Sequence, residues 1–153
     1  MLFQKINKSD ADKVFITCKN GSTSLIGIGY PVCFDTLTDA NGNTVILPST
    51  VGLRLFAGIV AGRSMGTSGQ PSQYQKVQCY GWNSAIMVGA TTITPGAALS
   101  PFNAGTYLRP SILHSASTAE SIDETYGHVV AGTTYNTPSA TYISTIRGFI
   151  RAM

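Results

Sequence analysis

The chain has 153 residues, enough for one well-buried core and too few for two ordinary domains, and only 11% of them are charged, where a soluble protein has about 25%. Ten Lys and Arg and seven Asp and Glu, net +3, are scattered with no basic cluster to neutralise neighbouring phosphates, so nucleic-acid binding has no support. No window approaches the ~20 unbroken apolar residues of a membrane helix and the amino terminus lacks the apolar core of a secretory signal, which indicates a protein made and kept in a cytoplasm, without a membrane partner.

Residues 1–13 carry Lys5, Lys8, Asp10 and Asp12 and read as an extended arm ahead of a single β-rich domain over 14–153. Val14 to Cys18 is strand-like, Asn20-Gly21 is the pair preferred in a two-residue hairpin turn, and Ser24 to Ile28 is its expected return strand. Tyr30 to Phe34 is a short strand with Pro31 at its entrance, as an edge position tolerates. A second turn at Asn41-Gly42 leads into Thr44 to Leu47, and Leu53 to Val60 is the most apolar strand candidate. Gly62 to Lys76 has the composition of a long flexible loop.

From Val77 to Leu108 there is no Asp, Glu, Lys, Arg or His, yet Gly81, Gly89, Pro95, Gly96, Pro101 and Gly105 interrupt the run too often for a bilayer span. Short strands at 77–82, 85–88, 91–94 and 106–108 with outer faces of Ser, Thr, Asn and Gln follow, and they are suited to rest on other protein. Ser117 to Tyr126 is the one helical candidate, opening on the capping-box pattern Ser117-Thr-Ala-Glu120 and ending at Gly127. His128 to Ala131 and Tyr142 to Ile150 close the chain as strands. The predicted fold is all-β, a small antiparallel β-barrel or sandwich with an extended N-terminal arm and at most one short helix.

Sites for chemistry are sparse. Gly62-Arg63-Ser64-Met65-Gly66 matches G-x-S-x-G, with Asp123 and His128 following in the chain order of an α/β hydrolase, but the helix required after the serine is opposed by Gly66, Gly69 and Pro71. Asp39-Ala-Asn41-Gly42-Asn43 resembles the start of a calcium loop but has Thr44 and Thr50 where Gly and Glu are needed. His114 and His128 have no Cys nearby, and Cys18, Cys33 and Cys79 fit neither a zinc knuckle nor a redox pair and read as reduced, buried small hydrophobes. Neither a catalytic constellation nor a cofactor or metal site is expected. Tyr80, Trp82, Phe102 and Tyr107 either fill a core or anchor an interface, and Trp82 is also a candidate for stacking on a sugar.

Taken together, Gly29-Tyr-Pro-Val-Cys-Phe-Asp35, Val45-Ile-Leu-Pro48, Leu55-Phe-Ala-Gly-Ile-Val60, Tyr74-Gln-Lys-Val-Gln-Cys-Tyr-Gly-Trp82, Gly96-Ala-Ala-Leu99 and Gly105-Thr-Tyr-Leu108 resemble the small capsid decoration, or cement, proteins of tailed bacteriophages. The likeness covers roughly residues 25–110, and Gly148-Phe-Ile-Arg-Ala-Met153 is similar to that family's last strand. The resemblance implies a structural virion protein on the outside of an icosahedral head, assembled in the host cytoplasm. Its partners would be the major capsid protein and, as a homotrimer, itself. In such a subunit the arm could cross onto a neighbour with Leu2, Phe3 and Ile6 as anchors, and Tyr80, Trp82, Phe102 and Tyr107 are the other candidate interface residues. Two other readings remain open: a receptor- or glycan-binding head or tail module using Trp82 and the 62–76 loop, and a serine hydrolase using Ser64.

Overall fold

β-Branched and aromatic residues punctuated by Gly and Pro leave the chain few ways to pair its backbone except in sheets. A computed structural model describes residues 13–37, 42–49, 55–67, 69, 73–89, 92–101, 105–110, 128–136 and 143–152, and no α-helix occurs among them. The strands are β1 (Val14–Asn20), β2 (Pro31–Phe34), β3 (Thr44–Ile46), β4 (Phe56–Ala61), β5 (Tyr74–Gly89), β6 (Thr92–Ile93), β7 (Ala98–Pro101), β8 (Leu108–Pro110), β9 (His128–Ala131), β10 (Tyr135–Asn136) and β11 (Ile143–Arg151). The protein is all-β.

Nine strands form one sheet in the order β1-β3-β2-β4-β5-β11-β9-β7-β8, while β6 and β10 pair separately. Two further pairings, β1 with β5 and β5 with β8, fold this sheet back on its middle strand. The result is two closed rings, β1-β3-β2-β4-β5 and β5-β11-β9-β7-β8, that share the 16-residue β5. Closure removes open edges that would otherwise template further strand pairing. Each ring contains one short parallel contact, Lys19 and Asn20 with Thr44 and Val45 in the first, and Val88 with Leu108 in the second. All other pairings are antiparallel.

β5 serves both rings with successive stretches, and between them Cys79 is an extra residue against β1, whose register slips between Val14 and Phe15, a bulge of the kind that bends a strand. Its first half lies between β1 and β4 and its second half runs along β11. Gly81 sits between the halves at φ 97, which only glycine adopts cheaply. Beside it Gln78 is buried, donating from Nε2 to the carbonyls of Tyr80 and Trp82 at 3.1 Å each and accepting at Oε1 from Asn83 Nδ2 at 3.1 Å. Asn83 Oδ1 in turn accepts from the Ala85 amide at 2.7 Å. Carbonyls and amides that a bent strand leaves unpaired thus gain side-chain partners.

Two apolar clusters fill the body. Cys18, Ile26, Val32, Val45, Ala57, Val60, Met65 and Val77 belong to the first ring. The second cluster, including Cys79, Ile86, Val88, Leu99, Leu108, Val129, Ile146 and Ile150, also receives Phe56 and Ile59 from β4. Ile16 touches both, so the two cores are joined through β1 as well as β5.

Several expectations change at this level. The Asn20-Gly21 hairpin does not form: β1 pairs with β5 and β3, and Ile26 bridges to Met65 instead of returning along β1. The reason is Asn20 itself, fully buried, whose Nδ2 donates to the Ser24 and Gly66 carbonyls (2.9 and 2.8 Å) while Oδ1 accepts from the Ser22 amide (2.8 Å). By contrast β2 and β3 do pair antiparallel, with Gly42 at φ 69 between them. Pro31 opens an interior strand, not an edge, and is tolerated because β3 reaches only Cys33 and Phe34. The separate strands expected at 77–82 and 85–88 are one, and β7 and β10 were not anticipated. The helix expected at 117–126 and the arm, apart from Lys13, lie outside the described residues.

Candidate protein-interaction surface

Alternation along β5 and β11 turns Ile150 and Gly81 inward and leaves Tyr80, Trp82, Phe149 and Arg151 on the opposite face. Register sets Arg151 opposite Tyr80, Phe149 opposite Trp82, and Phe149 opposite Val130 of β9. The rings meet edge-on: Tyr80 and Phe149 are 5.0 Å apart at 82°, Trp82 and Phe149 5.6 Å apart at 80°. Such perpendicular pairs are worth about 0.5–1.5 kcal/mol beyond their buried area. Tyr80 remains 38% exposed, and Trp82, Phe149 and Val130 are half-buried.

Arg147 places its guanidinium 5.1 Å from the centre of the Trp82 ring, a cation–π contact. Gly132 backs the same indole, since a Cβ there would lie 2.6 Å from Cζ3, and its amide donates to the Arg147 carbonyl at 2.8 Å. A glycine is therefore needed to seat the tryptophan against the β9–β11 backbone.

Of the expected interface residues, the fold brings together Tyr80 and Trp82. Tyr107 stands apart at the far end of β5, where its ring lies against Gly89 and receives a hydrogen bond from Arg109 Nη2 to its hydroxyl at 3.2 Å, with the guanidinium 5.6 Å from the ring centre. Leu2, Phe3, Ile6 and Phe102 lie outside the described residues. Sequence reading missed Phe149, Arg147, Arg151 and Val130. A signal existed in the period-two pattern Arg147-Gly-Phe149-Ile-Arg151, which puts two cations and an aromatic on one strand face.

Other candidates acquire plain surroundings. Ser64 follows β4 through Gly62 (φ 86), and the residues after it enter the Ile26–Met65 bridge rather than a helix, with the Gly66 carbonyl accepting from Asn20. His128 begins β9 in the second ring, whereas Ser64 belongs to the first, and Asp123 and His114 lie outside the described residues. Cys18, Cys33 and Cys79 are free and buried. Burial pushes the Cys33 thiol up to about 12, and raises Cys18 to about 12 with a further push from nearby Cys79. Among the described residues no three His, Cys, Asp or Glu come together as metal ligands, and no helix is long and apolar enough to cross a membrane. Compared with family models, with curated proteins and with solved structures, the chain matches none.

Proposed function

We propose that this chain is a decoration subunit of a tailed-phage head, binding the outside of the shell as a homotrimer and joining neighbouring copies of the major capsid protein. The observation that supports it most is the outward Tyr80–Phe149–Trp82 cluster under Arg147: large rings held rigid by the sheet, of the residue types that anchor protein interfaces. A closed β scaffold with little surface charge agrees with this role, which needs buried area at many equivalent sites and no reaction. A subunit that binds only the assembled shell stabilises it by mass action, by about 2.7 kcal/mol per site at roughly a hundredfold excess over its Kd.

Glycan binding through Trp82 is the weaker reading, because sugar stacking needs an open indole face and here Arg147 covers the ring while Gly132 backs it. The decisive experiment adds purified chain to heads lacking it, then measures co-sedimentation and survival on heating. Binding with raised heat resistance is expected; heads that ignore the chain, or gain nothing from it, would refute the proposal. Size-exclusion chromatography with light scattering tests the trimer separately.

A further inference from the structure

The β5–β11–β9 face has a narrower chemistry than a general adhesive surface. Trp82, Phe149 and Val130 form an apolar row across three adjacent strands, with Tyr80 and Arg151 beside it and Arg147 over the indole. Neither guanidinium has a carboxylate opposite it among the described residues. Arg147 and Arg151 are both exposed, on the same face as the apolar row.

The two exposed guanidiniums beside the apolar row select the partner. Two copies meeting through this face would set Arg against Arg, a costly juxtaposition. Bases of a nucleic acid stack on open ring faces, and the Trp82 face is taken by Arg147. A polypeptide carrying both carboxylates and apolar side chains satisfies the whole patch, because exposed guanidiniums bind carboxylates in forked pairs. We propose that this face docks an acidic, apolar-containing segment of the shell protein, with carboxylates on Arg147 and Arg151 and an apolar side chain against Phe149 and Val130. That the partner is the shell protein rests on the decoration reading above.

The chain has one tryptophan, so Trp82 emission reports on the patch directly. A short peptide alternating Glu with Leu, the same peptide with Lys for Glu, and oligothymidine are titrated into the full chain. The Glu/Leu peptide gives a saturable emission change that weakens with salt. The R147E/R151E variant loses roughly tenfold or more of this affinity and gains the Lys/Leu peptide, as reversal of an interface charge requires. R151E alone keeps the indole packing intact and still weakens Glu/Leu binding. Equal binding of both peptides, Glu/Leu binding unchanged in R151E and the double variant, or tighter binding of oligothymidine would overturn the inference. Heads lacking the chain separate the two proposals. Heads that bind wild type and R147E/R151E alike refute the inference and leave decoration standing, whereas wild type that takes the peptide as expected but ignores heads refutes decoration and leaves the patch chemistry standing.

Discussion

Trp82 is held by Phe149 at its edge, Arg147 over its face and Gly132 beside it, so its position on the outward face of the central strand β5 is set by packing and not by burial alone. Arg147→Ala removes the cation and bares the ring to water. The expected result is a red-shifted Trp82 emission with a stability loss of about 0.5–1 kcal/mol in urea unfolding. The buried thiols supply a second measurement. In the unfolded chain they lose protons from the ordinary value of 9.0, but Cys18 and Cys33 in the native protein hold theirs to about 12. Between those values the native state binds more protons than the unfolded one, so stability falls as pH rises, by up to about 1.4 kcal/mol per pH unit for each thiol. Urea midpoints followed from about pH 8 to pH 11 should decline, and Cys33→Ala should remove one thiol's share of that slope.

Among the elements, β5 carries the most consequence, because one strand must satisfy two rings. Gln78 makes this possible by pairing with the Tyr80 and Trp82 carbonyls and with Asn83. Gln78→Ala strands these groups in a part-buried setting, where a fully buried unpaired group would cost about 1–3 kcal/mol. A total loss of roughly 3 kcal/mol is expected, corresponding to a Tm lower by about 6–12 °C. Trp82 emission should shift in the same variant, since the bend that displays the indole is released. A melting point within a degree of wild type would mean that Gly81 alone sets the bend.

For the whole molecule, sharing β5 and joining the cores through Ile16 implies one cooperative unit in place of two independent barrels. Cys33 reports on the first ring and Trp82 on the second. In a C18A/C79A background, where Cys33 is the one thiol left, its exposure to a colorimetric reagent and Trp82 emission should therefore follow the same urea curve. Separate midpoints would show that β5 can leave one ring while remaining in the other.

Local sequence was sufficient for the class of structure and for several strands, because alternation and β-branching act over a few residues. His128–Ala131 is a strand as read, and Thr44–Ile46 pairs antiparallel with Pro31–Phe34. The two Asn-Gly pairs show where local reading ends. The strands on either side of the second pair do meet antiparallel, with Gly42 at φ 69, whereas Asn20 is drawn into the interior to hold the Ser24 and Gly66 carbonyls, the latter 46 residues away. Gly58 makes the same point: in sequence it merely interrupts an apolar run, but at φ 139 it lets β4 approach the Gln78 carbonyl, where any Cβ would collide. The candidate site was half legible. Tyr80 and Trp82 stand out as aromatics in an uncharged run, but their partners Phe149, Arg147 and Arg151 are more than sixty residues away along the chain and meet them only through the β5–β11 register. Side-chain pattern decides whether a segment is a strand; which strand it joins depends on backbone hydrogen bonds that any strand can offer, and only closing the two rings around their cores selects among them.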